Sequence, residues 1–255
     1  MAISIALPSL TFSATALAAK REGLWVEFED VDHLTWTHPA VAGFGVPSYG
    51  RYLDAAAAFG EQMVMLDQMA VFSLHATKPI GAGEGGFIVT HNPKLAEKFR
   101  RQTNFGIDEG ISKEWGTNYK MSEYHAAVAL ASLDNWDREP WLHLYDWYDN
   151  YLPSLVLPQE RQRGVYPILG VLLPMGADIE EVRHQMLLRG VETRRWYWPL
   201  MHKHPMFSGQ GDPPHLPITE DISEHLIGLP YHLFLSKDDV AYVCHALEDA
   251  LTKEE

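Results

Sequence analysis

The sequence predicts an α/β fold, and three observations carry that prediction. Runs with strand character alternate with runs of helical period along the chain. Two apolar, β-branched runs, residues 71–74 and 87–90, flank a glycine-rich turn, Gly81-Ala82-Gly83-Glu84-Gly85-Gly86. Helix-start signals stand ahead of amphipathic stretches: Asn92-Pro93, Ser122, and Ser236 with Asp239 three residues on.

Taken in order, residues 3–7 read as a short buried strand, 13–20 as a helix that stops before Gly23, and 24–28 as the next strand. The apolar opening up to Leu17-Ala18-Ala19 has the outline of a secretory signal, but it lacks a basic start. Pro8, Ser9, Thr11, Ser13 and Thr15 also interrupt it, which favours the strand-and-helix reading and a cytoplasmic location. Between Asp30 and Tyr52, Pro39, Gly43, Gly45, Pro47 and Gly50 break every period, so this stretch is expected to be loop. Leu95 and Phe99 follow a helical period after Asn92-Pro93. In the helix opened by Ser122, Ala126, Ala127, Leu130 and Leu133 form a narrow apolar face suited to close packing.

Pro140 and the aromatic run Trp141, Tyr145, Trp147, Tyr148 and Tyr151 mark a change of character. A domain boundary is placed there, giving a large domain over 1–139 and a smaller α/β domain over 140–255. In the second, residues 168–173 read as a strand, 178–189 as a helix closed by Gly190, and 191–196 as another strand. The last helix, from Ser236, carries Val240, Val243, Leu247 and Leu251 on one face.

Composition narrows the function. The 255 residues are 46% hydrophobic and 21% charged, a globular balance with enough chain to bury a core without staples. The single cysteine, Cys244, excludes an internal disulfide and a multi-cysteine metal site. A formal charge of −14, with arginines clustered only as the pairs 100–101 and 194–195, argues against nucleic acid or an anionic membrane as partner. The histidines include His202 and His204, but no His-Glu-x-x-His helix accompanies them, and no Gly-x-Ser-x-Gly elbow points to a hydrolase.

The chemistry centres on Val71-Phe72-Ser73-Leu74-His75-Ala76-Thr77-Lys78 and the glycine turn after it. A lysine at the end of a buried strand is desolvated enough to lower its pKa and act as an amine nucleophile that holds an aldehyde as a Schiff base. The alternative is a solvated surface lysine, the usual fate of the residue type.

The company of Lys78 decides between them. The runs Phe72–Lys78 with Gly83-Glu84-Gly85-Gly86, Asp54-Ala55-Ala56-Ala57-Ala58-Phe59-Gly60, and Asn118-Tyr119-Lys120-Met121-Ser122-Glu123 resemble signature segments of the DegT/StrS-type nucleotide-sugar aminotransferases. The resemblance extends, in family order, to Pro8-Ser9-Leu10-Thr11-Phe12-Ser13-Ala14-Thr15, to Arg101-Gln102-Thr103-Asn104-Phe105-Gly106, to Val191-Glu192-Thr193-Arg194-Arg195-Trp196-Tyr197-Trp198-Pro199, and to Leu229-Pro230. It implies fold type I, with a mostly parallel central sheet, incomplete here, and pyridoxal 5′-phosphate as cofactor. It implies Lys78 as the Schiff-base lysine and proton carrier, Asp54 as the partner of the pyridine nitrogen, and Ser73 as a phosphate contact. Phe12 then stacks on the ring, Ala56 contacts the cofactor, and Asn118 reaches the cofactor phosphate of a neighbouring subunit, which implies a homodimer with shared sites. His75 lines the substrate side, Glu84 fixes the turn, and the loop of His202 and His204 lies near substrate or the dimer contact.

Departures from the family pattern are equally legible. Only seven residues precede Pro8, so the family's Gly-Thr/Ser phosphate loop is expected to be missing. The stretch between Asp32 and Asp54 is shortened, and Ala57 stands where the family has Gln or His. The resemblance therefore implies transfer of an amino group from an amino acid, glutamate above all, to a nucleotide-linked keto-deoxysugar. The alternative is a non-catalytic or truncated paralogue that dimerises or binds sugar nucleotides.

Overall fold

The computed structural model of the chain describes residues 4–36, 48–49, 52–60, 66, 68–159, 165–208 and 214–252. Strand β1 (Ser4–Pro8) runs through helix α1 (Ser13–Arg21) to β2 (Trp25–Glu29), and the two strands pair in parallel with Leu7 opposite Phe28. Ala16 and Ala19 let α1 lie close to this pair, and Leu7 and Val26 complete the cluster with Met201 and Phe207 from far along the chain. Gly23, at φ 73°, turns the chain from helix to strand, as expected of a glycine past a helix end.

The sheet that carries the site has the order β3 (Ser48–Tyr49), β4 (Tyr52–Asp54), β5 (Met69–Ser73) and β6 (Gly86–Thr90). Its central pair β4–β5 is parallel, while β3 and β6 run antiparallel to their neighbours. Beneath it Phe72 and Phe87 stack with centroids 4.9 Å apart, and Phe59 meets Phe72 and Trp136 edge-on at 5.8 and 4.8 Å.

Helix α2 (Pro93–Gln102) is capped by Asn92, whose side chain accepts from Lys94 N and Leu95 N. A small hairpin, β7 (Ile107–Asp108) and β8 (Ile111–Ser112), leads to α3 (Glu123–Asp134), capped by Ser122. The apolar face expected on this helix is not the buried one. Ala129 alone is fully buried, while Leu130 is 62% exposed. Helical periodicity marked an apolar stripe, but not whether this chain or another surface covers it.

The aromatic run after Pro140 forms helix α4 (Glu139–Tyr151). Proline is tolerated in a first turn because its missing N–H has no helical partner there. Trp141, Leu144 and Tyr148 recur at helical spacing and bury themselves against α7 (Lys237–Thr252), whose Val240, Val243, Cys244 and Leu247 face them. The remaining sheet, β11 (Leu226–Leu229), β10 (Leu169–Leu172) and β9 (Leu157–Pro158), is antiparallel and joins the same core with α5 (Ile179–Leu188). Helix α6 (Pro217–His225) is capped from a distance by Asp30, which accepts from the amides of Ile218 and Thr219.

The strand expected over 191–196 reduces to one bridge, with Arg194 and Gly228 exchanging backbone hydrogen bonds of 2.9 and 2.6 Å. Val191 N is held by Met186 O at the end of α5, and Trp196 folds across Gly228, so the ladder stops at a single rung. Much of the segment expected to be loop before Tyr52, together with residues 61–65, lies outside the described residues.

Candidate active site

Lys78 sits in the loop between β5 and β6. Beyond Ser73 the ladder continues irregularly, with Leu74 N donating to Gly85 O and Ala76 N to Gly83 O, both at 2.9 Å. Ala82 N returns to Leu74 O at 2.8 Å, and Lys78 N to His75 O at 2.8 Å, which closes a compact turn around the lysine. Leu74, Ile80 and Ala82 anchor this turn against Ala129 of α3. Glycine is required here: a Cβ on Gly81 would lie 2.7 Å from Ala76 O, and Gly85 adopts φ 130° against the Met121 methyl. The amine is thus carried on a rigid loop over a buried base.

That placement sets its chemistry. Burial pushes the Lys78 amine below the ordinary lysine range, and the charge of Asp54 opposes the shift in part. An amine that sheds its proton more readily than a surface lysine can attack an aldehyde and can exchange a proton with a neighbouring carbon acid.

Asp54 ends β4 where the chain leaves the sheet. Ala56 N donates to its Oδ1 at 3.1 Å, and the Thr15 hydroxyl donates to its Oδ2 at 2.7 Å. Phe12, 62% exposed, offers an open ring face beside α1, and its centroid is 6.5 Å from that of Tyr197. Burial, reinforced by the charge of Asp54, drives the Tyr197 phenol up to about 12. Residues from β1–α1, from β4 and from the 197 region therefore meet around one carboxylate, with Lys78 within its electrostatic reach.

The other expected site residues sit less centrally. Ser73 Oγ accepts from His75 N at 3.2 Å, the local backbone bond open to any serine at a strand end, and its hydroxyl proton stays free to donate. His75 is exposed, with Nδ1 3.0 Å from the Thr77 hydroxyl and Nε2 3.8 Å from Glu84. Asn118 is exposed and bridges Asn104 in the backbone, and Lys120 donates to Asn104 Oδ1 at 2.7 Å. His202 is held by Ser9 and faces Glu220 at 3.7 Å. Thr15 and Tyr197 were assigned no role from the sequence. Both stand in the quoted segments, and Thr15 follows Phe12 by three residues, the spacing that brings two side chains to one helix face.

The donor set fits pyridoxal 5′-phosphate at three points: an amine of lowered pKa for its aldehyde, a carboxylate for its ring nitrogen, and an open aromatic face for its ring. Fold and family likeness together define a pyridoxal 5′-phosphate-dependent aminotransferase of fold type I. The DegT/DnrJ/EryC1/StrS aminotransferase family matches residues 52–248, and the chain belongs to that family. Protein Rv3402c of Mycobacterium tuberculosis is 28% identical over 98% of this chain and 72% of its own length. GDP-perosamine synthase of Escherichia coli O157:H7 is 26% identical over 96% of the chain and 78% of its own. Among solved structures, DesI in the presence of its TDP-sugar product superposes with a TM-score of 0.84 at 28% identity, covering 99% of this chain and 76% of DesI. The first of these alignments spans 308 residues against a chain of 255, so that relative carries internal segments that this chain lacks.

Proposed function

We propose that the chain is a nucleotide-sugar aminotransferase that moves an amino group from an amino acid, glutamate above all, to a keto group on a nucleotide-linked deoxysugar. The observation that carries this reading is the half-buried amine of Lys78, its pKa lowered by desolvation, held on a glycine-locked loop within the field of Asp54. Resemblance to GDP-perosamine synthase and to DesI with its TDP-sugar product supports the substrate class.

Pyridoxal 5′-phosphate supplies, when bound, an aldehyde to take up the amino group and a ring to absorb the electrons of a broken C–H bond. Lys78 Nζ would hold the cofactor through that aldehyde, and its lowered pKa would let it take up or release a proton beside the reacting carbon. Asp54 would present its charge to the ring nitrogen, Phe12 would cover one ring face, and Ser73 Oγ and Ala56 would contact the cofactor. His75 meets the substrate side, and Glu84, 3.8 Å from its Nε2, fixes the turn. Asn118, exposed on the loop before α3, serves the site of a second copy, so the active form is a homodimer, working in the cytoplasm. Among the described residues no helix is long and apolar enough to cross a membrane.

The test is an absorbance spectrum of the protein reconstituted with the cofactor, beside Lys78→Ala treated identically. A band of covalently held cofactor that borohydride removes and the variant lacks is expected. Identical spectra of free cofactor in both proteins would overturn the reading and favour the paralogue that only dimerises or binds sugar nucleotides, to which Ala57 points.

A further inference from the structure

We propose that Thr15 is the positioning residue of Asp54: its hydroxyl fixes the direction in which that carboxylate presents its charge to the cofactor ring. The proposal rests on the cofactor reading given above.

Asp54 stands at the last residue of β4, ahead of an alanine turn with no side chain able to hold it. Its two oxygens are fixed from two separate places. Oδ1 takes the Ala56 amide at 3.1 Å, a bond within its own turn, and Oδ2 takes the Thr15 hydroxyl at 2.7 Å, across 39 residues of chain. That second distance is a well-formed O–H···O bond and falls within the range of a hydroxyl bound to a charged acceptor. A carboxylate pinned at one oxygen can still swing about its bond to Cβ, whereas one pinned at both cannot.

Thr15 is suited to the task. It lies in the first turn of α1, where its β-branched side chain is stiff. A threonine hydroxyl has one proton, and here it goes to Asp54 while the Thr11 hydroxyl donates to Thr15 Oγ1 from 3.4 Å. The donor order Thr11 to Thr15 to Asp54 keeps the Thr15 proton aimed at the carboxylate. The Thr15 amide donates to Phe12 O at 3.2 Å, so one helical turn carries both the aromatic face and the holder of the carboxylate. Each Asp54 oxygen is left with unshared electron pairs for a further donor.

The experiment is a titration of pyridoxal 5′-phosphate into the cofactor-free protein, read by quenching of intrinsic tryptophan fluorescence. It compares wild type, Thr15→Val, Thr15→Ser, Asp54→Ala and the double variant Thr15→Val with Asp54→Ala. Thr15→Val keeps the shape without the hydroxyl and is expected to weaken binding about tenfold, the effect of one hydrogen bond to a charged group. Thr15→Ser restores the hydroxyl and is expected to bind within about threefold of wild type. In the Asp54→Ala background, Thr15→Val is expected to change affinity by under about twofold, because the group it positions is gone. If Thr15→Val does not fold, Thr15→Ala takes its place with the same expectations. Wild-type affinity in Thr15→Val overturns the proposal, as does an equal loss with and without Asp54, which would mark a purely structural role. A wild type that does not bind the cofactor overturns the functional reading and this proposal together.

Discussion

Ser9 Oγ lies 2.7 Å from His202 Nδ1, joining the end of β1 to a turn 193 residues later. The same oxygen accepts from His202 N at 3.1 Å, and Ser9 is fully buried. This contact ties the segment bearing Phe12 and Thr15 to the one bearing Tyr197, and so holds two walls of the site together. Replacing Ser9 by alanine takes this partner from two part-buried groups of His202, its amide N and Nδ1. The expected cost is about 1–3 kcal/mol, measured as a lower urea midpoint with an unchanged slope.

The same histidine sets a pH dependence. Burial, with the charge of Lys203, holds His202 below the usual 6.5, while Glu220 opposes; the Ser9 hydroxyl and the Phe28 ring complete its surroundings. As pH falls through 6.5 the unfolded chain takes up this proton before the folded one, so the contribution of His202 to stability falls with acidification. Urea titrations on either side of that value check the sign. His202→Gln is expected to flatten this dependence.

Lys78 should be a site where function costs stability. Its pKa lies below 10.5, so the folded protein holds this proton less firmly than the unfolded chain does. In the cofactor-free protein, Lys78→Met is expected to be more stable than wild type near neutral pH. The difference should shrink as pH rises toward 10.5. Denaturation curves at two pH values read both effects.

Gly228 is fixed by packing. A Cβ there would lie 2.0 Å from Trp196 Nε1, with the backbone pinned to Arg194. Gly228→Ala is expected to destabilise by about 1–3 kcal/mol. Pairing it with Trp196→Leu should recover part of the loss, a non-additivity visible in a double-mutant cycle.

The proposed homodimer needs a surface, and α3 offers one. Leu130 and Leu133 are 62% and 39% exposed on one face of it, an apolar display costly to leave in water. Leu130→Glu is expected to shift the sedimenting species from dimer to monomer with unchanged far-ultraviolet circular dichroism.

What the sequence determined by itself is whatever neighbours in the chain decide among themselves. The caps at Asn92, Ser122 and Ser236 each involve residues two or three apart, and all form as their spacing implies. Lys78 was legible as a candidate from the strand end and glycine turn around it, and family likeness singled it out from an ordinary surface lysine; the fold then half-buries it. Asp54 and Phe12 were named through family likeness; the fold puts the charge of Asp54 within reach of Lys78 and the Phe12 ring 6.5 Å from that of Tyr197.

Only the tertiary structure decided the rest. No local period reveals that Thr15 reaches Asp54, that the half-buried Tyr197 lies within the field of the same carboxylate, or that Asp30 caps a helix 188 residues away. The strand expected over 191–196 failed for the same reason: strand pairing depends on what lies across the ladder, and there Trp196 occupies the space over Gly228. The apolar stripe of α3 was visible as a pattern, but burial belongs to the partner surface rather than to the stripe. Contacts within a turn are set by bond geometry, whereas contacts across a fold are set by which distant groups the packed core brings within reach.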